Sequence, residues 1–259
     1  MMRAFLQPHR IVLIAVALGI VVLCAVTLRW DWLANPKYHP MMISGLCWTI
    51  GLTVGSMVIG MALAIPIGLA QAVGPWYVAV PARVFCTVIR GTPILMQLWL
   101  LYYGIGSLFP SNPWIRDSAL WPILRQAWPY AMVALTLSVA GYEGEVMRSA
   151  FKNVAHGQLE AARSMGMSRF TIFRRIWLPQ AVQLVLPTIG GETVLQLKVT
   201  PLVSTITIFE IYRVAGQVRQ DTFIIYEPLL LLAVVYMILA GFIVLFFRWL
   251  ESRVPSRRA

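Results

Sequence analysis

Four charged side chains fall inside otherwise apolar stretches: Glu143, Glu145, Glu192 and Lys198. An ionisable group at membrane depth is expensive unless it faces a cavity, a pathway or an opposite charge, so these positions are where function is expected. The chemistry open to Glu192 is recognition: its carboxylate could receive an amino or guanidinium group, with Gln97 adding an amide from a neighbouring stretch. The competing role is structural. Lys198 lies six residues on, nearly two helical turns, where it could pair with Glu192, or either could meet a partner subunit. Glu143 and Glu145 are expected close to one membrane face, where Arg148, three residues beyond Glu145, shares its helical face and pairs with it; a structural role is expected for both.

Several chemistries are excluded by the same reading. His9 and His39 lie in flanking segments and His156 precedes a basic loop, so the histidines form no metal or catalytic set, and no HExxH occurs. No glycine is followed by lysine, so the phosphate-cradling GxxxxGK[ST] loop is absent. Cys24, Cys47 and Cys86 sit in apolar runs at spacings of no metal pattern and read as small hydrophobes. The chain is expected to be a non-catalytic subunit that binds no metal or cofactor of its own.

The elements that must position these groups are membrane helices. The chain is 59% hydrophobic and 12% charged, with a mean hydropathy of +0.75, which a water-soluble domain could not carry. Apolar runs over residues 11–28, 41–73, 92–109, 127–147, 181–199 and 228–247 predict an all-α membrane protein of six transmembrane helices. Thr92 and Pro93 read as N-cap and first helical residue of the third, which leaves Arg90 at the interface. Residues 1–28 also fit a cleaved signal peptide; a retained helix is preferred because no small-residue cleavage site follows Leu28. Alternate loops carry a net +12 and +1. The net charge of +11 therefore reflects the positive-inside rule rather than nucleic-acid binding, and it predicts both termini in the cytoplasm.

The most patterned stretch is the basic loop at 157–179, predicted as helix, turn, helix: Gly166 at a left-handed C-terminal position, Ser168 as the next cap, and Pro179 where the chain turns back to the membrane. Its paired alanines suit close approach to a partner's cleft. Gly157, then Glu160-Ala161-Ala162, Gly166, Ile176 and Leu178-Pro179 resemble without a gap the signature loop of bacterial ABC importer permeases. A passive channel would have no reason to carry such a loop.

A second stretch, Arg90-Gly91-Thr92-Pro93 with Gln97 and Tyr102-Tyr103-Gly104, resembles the polar amino acid permeases, most closely the histidine/lysine/arginine/ornithine and opine subunits. A third, from Leu186-Pro187 to Ser204, keeps Glu192, Lys198 and Thr200 but carries Gly191, Val199 and Pro201 where those permeases have Asn, Asp and Ser. The resemblance covers residues 41–250 and implies a five-helix core with the coupling loop at about 148–180. An extra helix and extracytoplasmic segment precede it at 1–40, and a basic cytoplasmic tail follows at 251–259. It also implies ABC ATPase subunits that bind ATP and Mg, a second permease subunit, the same or homologous, and a periplasmic substrate-binding protein. The resemblance places the whole in the bacterial inner membrane, with Gln97, Glu192, Lys198 and Thr200 as pathway candidates. The substrate it implies is a polar, most simply basic, amino acid or opine, with acidic amino acids and glutamine as alternatives.

Overall fold

A computed structural model describes residues 26–253, which are almost entirely helical and contain no strand. The apolar run at 11–28 lies outside the described residues except for its last three positions, as does the tail beyond residue 253. Tyr38–Val73 (α1) and Tyr226–Arg253 (α9) are each long and apolar enough to cross a membrane. α1 runs unbroken through Pro66.

The third predicted span is corrected. Residues 76–91, expected as loop, form a helix, Trp76–Gly91 (α2), and a second limb, Ile94–Trp99 (α3), runs on through a wide π turn to Leu108. The limbs meet at 102° and together are long and apolar enough for one crossing. Pro93 explains the break, because it has no N–H to continue the ladder and restricts the residue before it to extended backbone. Thr92 is extended and closes α2, its hydroxyl donating back to the Val88 carbonyl at 2.9 Å; Pro93, not Thr92, occupies the cap position of α3.

Trp128–Asn153 (α4) packs along α1, and glycines set the spacing. A Cβ on Gly60 of α1 would lie 2.5 Å from Val139, and one on Gly68 would lie 2.6 Å from the Met147 Cβ. Where lipid removes most of the hydrophobic drive between helices, such backbone approach is what holds them together. Gly141, midway along α4, meets Ile89 just as closely, which puts the end of α2 at mid-depth of the bundle. Arg90, one residue on, is exposed at the break in the span.

His156–Ser164 (α5) and Arg169–Ile172 (α6) form the loop after α4. A π turn then carries α6 straight into Leu178–Val199 (α7) and a 3-10 turn ending at Ile206, so Pro179 begins a helix that is already under way instead of marking a separate return. Ile211–Thr222 (α8) follows at 53° and leads to α9.

Candidate functional site: a polar cavity at the broken helix

The break between α2 and α3 opens a cavity of about 440 Å³ walled by Ile89, Arg90, Thr92, Pro93 and Gln97 of the broken span, Tyr142 and Glu143 of α4, and Glu192 and Gln196 of α7. Its size lies within the roughly 300–1,000 Å³ of small-molecule sites.

Gln97 is used twice. Pro93 leaves the Ile89 carbonyl without its helical partner, and the Gln97 amide nitrogen supplies one at 2.9 Å. The Thr92 carbonyl at 3.0 Å and hydroxyl at 2.8 Å compete for its second hydrogen. With the nitrogen so committed, the Gln97 Oε1 faces away from these acceptors and is buried with no hydrogen-bond partner among the described residues. Gln97 thus braces the bend that carries Arg90, whose guanidinium lies 5.6 Å from the Tyr142 ring centroid, within cation–π range.

Glu143, for which a structural role is expected, stands in the cavity wall. It is 1% exposed and lines the cavity, and neither carboxylate oxygen has a partner among the described residues. Only Glu145 turns to Arg148, with which it forms an ion pair. A buried polar atom without a partner is rare enough to require an explanation, and a binding site is one of the few available. The periodicity carried a usable signal: Glu192 enters the same cavity from α7, and two carboxylates on separate apolar helices have reason to share a polar space.

Lys198 and Thr200 do not join them. Lys198 is exposed on another face of α7, beside a separate groove of about 290 Å³ with Tyr236, and forms no ion pair with Glu192. Thr200 is buried, with its hydroxyl donating to the Leu197 carbonyl at 2.8 Å and lying 3.1 Å from the Tyr236 hydroxyl.

The loop at the opposite end of α4 and α7 is rigid for local reasons. Gly166 takes φ +77°. Its N–H donates to the Arg163 carbonyl at 2.9 Å and the Met167 N–H to the Ala162 carbonyl at 3.2 Å, the paired bonds that close a helix end. Ser168 caps α6, accepting from the Thr171 N–H at 3.3 Å. The paired alanines divide: Ala162 is buried with Leu159, Ile172 and Phe151, whereas Ala161 is exposed alongside Gly157 and Glu160. Ile176 and Leu178 pack onto that same cluster, while Met165 and Phe170 are 82% and 70% exposed. The Trp177 indole donates to the Phe151 carbonyl at 3.0 Å, tying the turn before α7 to α4, and Gln180 donates to Gln158 at 2.6 Å, tying α7 to α5. Those helices, α4 and α7, carry Glu143 and Glu192.

Apolar helices enclosing a cavity lined by both charge signs are the build of a membrane permease, and sequence comparison places this one more closely. The family described as "binding-protein-dependent transport system inner membrane component" matches residues 62–255, and the chain belongs to it. Its relatives include the octopine transport system permease protein OccM of Rhizobium radiobacter, 38% identical over 218 residues that cover 84% of this chain and 87% of that one. The histidine/lysine/arginine/ornithine permease HisM of Escherichia coli K12 is 30% identical over 82% and 90%. A crystal structure of an amino acid ABC transporter with histidines superposes with a TM-score of 0.72 at 30% identity, covering 88% of this chain and all of that one. The MetNI methionine transporter, at 16% identity and a TM-score of 0.63, shares the fold.

Proposed function

We propose that this chain is the translocation subunit of an ATP-driven importer for amino acids or opines that carry a cationic group. The observation that carries the reading is the Glu143 carboxylate, buried against a cavity with both oxygens free of partners among the described residues. Together with the Gln97 Oε1 it gives three buried acceptors unpaired among the described residues, a wall suited to an ammonium or guanidinium group. Arg90, on the opposite side of the break, suits the carboxylate that every amino acid and opine carries. The names of the octopine and histidine/lysine/arginine/ornithine relatives agree with such a ligand.

In this reading the exposed face of the 157–179 loop, with Gly157, Glu160, Ala161, Met165 and Phe170, seats on an ATPase subunit that binds ATP and Mg on the cytoplasmic side. Ala162, Gly166, Ile176, Leu178 and Pro179 keep the loop stiff and joined to α7. A push on the loop then passes through Trp177 and Gln180 into α4 and α7, and so to the two cavity glutamates. A second permease subunit completes the pathway, and an extracytoplasmic binding protein delivers substrate. The test is reconstitution with the ATPase and binding protein. ATP-dependent uptake of arginine or octopine is expected; solute movement at full rate without the ATPase would overturn the proposal.

A further inference from the structure

The helix α8 is held by contacts that the import reading does not use. Glu210 caps its N-terminus, Oε2 accepting from the Tyr212 N–H at 2.9 Å and Oε1 from the Arg213 N–H at 3.1 Å. The same carboxylate is 0% exposed and reaches two other elements, meeting the Thr49 hydroxyl of α1 at 3.3 Å and the Tyr236 hydroxyl of α9 at 3.4 Å. Arg213 does not balance its charge, because that guanidinium donates to the Ser204 carbonyl at 3.1 Å and lies over the Phe209 ring. Glu210 is thus a buried anion with neutral donors.

Two residues bracket α8 in left-handed backbone, Thr207 at φ 74° and Phe223 at φ 58°, and no other non-glycine residue among those described has positive φ. Neither side chain favours that region, so both ends of α8 carry strain in this conformation. Gly45 of α1 lets the N-terminus of α8 come so near that a Cβ there would lie 2.9 Å from Val214 and 3.0 Å from the Ile211 nitrogen. At the far end Asp221 accepts from Lys37 at 2.5 Å and from Tyr38 at 3.2 Å. Tyr236 also meets Thr200 at the end of α7, the helix whose Glu192 and Gln196 line the cavity.

We infer that α8 is an outer lid that swings as a unit about Thr207 and Phe223, with Glu210 as the pin that holds it closed. What the lid opens for rests on the import reading; the hinges and the pin rest on the geometry alone. Because Glu210 lies between the hinges, it travels with α8. It keeps its two backbone donors and exchanges the Thr49 and Tyr236 hydroxyls for water. Hydration of the carboxylate and release of strain at both hinges offset the lost contacts, which leaves two states close enough in energy for a gate.

Ala215, 8% exposed on the packed face of α8, reports the motion. The chain carrying Ala215→Cys, with its native cysteines replaced by serine, is reconstituted in sealed liposomes with the ATPase and binding protein. A membrane-impermeant maleimide is then added from the α8 side. Labelling is expected to be slow without nucleotide and at least about 5-fold faster during ATP turnover. Glu210→Ala should raise the nucleotide-free rate by about 10-fold, the effect of losing one to two hydrogen bonds. Gly45→Ala, which wedges a methyl under the lid without touching Glu210, should raise it too. Thr207→Gly should slow labelling, because glycine removes the strain that favours opening. Equal rates with and without turnover, while uptake proceeds normally, would overturn the lid, and an unchanged rate in both Glu210→Ala and Gly45→Ala would overturn the pin. Absence of ATP-dependent uptake would instead count against the import reading, and the nucleotide-free rates would still decide hinge and pin.

Discussion

Glu143 on α4 and Glu210 at the head of α8 are both carboxylates with 1% exposure or less, and the fold surrounds them differently. Glu210 meets two backbone N–H groups and two hydroxyls, whereas Glu143 has no donor at either oxygen among the described residues. A buried charge that its own chain satisfies holds elements together; one left unsatisfied beside a cavity costs stability and gains only when something else supplies the donors. The difference separates a structural glutamate from a receptive one without appeal to any relative.

The sharpest way to break that distinction is to neutralise each in turn. Glu143→Gln should raise the KM for arginine uptake by about 10- to 100-fold, the loss of a charge-assisted hydrogen bond. Glu210→Gln, which keeps the shape and one of the two acceptor oxygens, should change KM less than about 3-fold while altering turnover. Equal KM effects would erase the contrast. Next in size, Gly166→Val should leave the protein in the membrane and in complex but uncouple ATP hydrolysis from uptake. A β-branched residue at φ +77° costs about 1–2 kcal/mol and distorts the loop that joins α5 to α6. Hydrolysis and uptake assays on one preparation read this directly. Gln97→Leu removes the donor that replaces the missing Pro93 N–H, and should cost about 1 kcal/mol and a several-fold loss of uptake through misplacement of Arg90. Gln97→Glu should do the same while keeping the acceptor, so similar kinetics in both variants would assign the effect to the brace. Smallest is Glu145→Gln: a partly buried i,i+3 pair with Arg148 should shift thermal stability by no more than about 0.5 kcal/mol and leave KM alone.

Hydropathy made the long helices legible, and the loop at 157–179 was legible because its turn rests on local chemistry: a glycine in left-handed backbone followed by a capping serine. The first limb of the broken span is hidden from hydropathy because Arg83 and Arg90 interrupt its apolar run, and Arg90 lines the polar space that the break beside it makes. Glu192, for which a pathway and a structural role are both open, and Gln97, a pathway candidate, both line the cavity. Lys198 shares α7 with Glu192 but not its face, a difference of rotation that spacing alone did not decide without knowing which side the cavity occupies. Glu143 is placed by its nearness to the charged end of α4, whereas the Glu145–Arg148 pair expected from the three-residue spacing is present.

The cavity itself is open to direct measurement. Ser138 lines it from α4 without taking part in the contacts above, so Ser138→Cys places a thiol at the wall. In a chain otherwise free of cysteine, a cationic methanethiosulfonate should modify it, saturating arginine should slow that modification, and the modified protein should lose ATP-dependent uptake. Modification that arginine does not slow, with uptake continuing at the unmodified rate, would mean that substrate passes elsewhere.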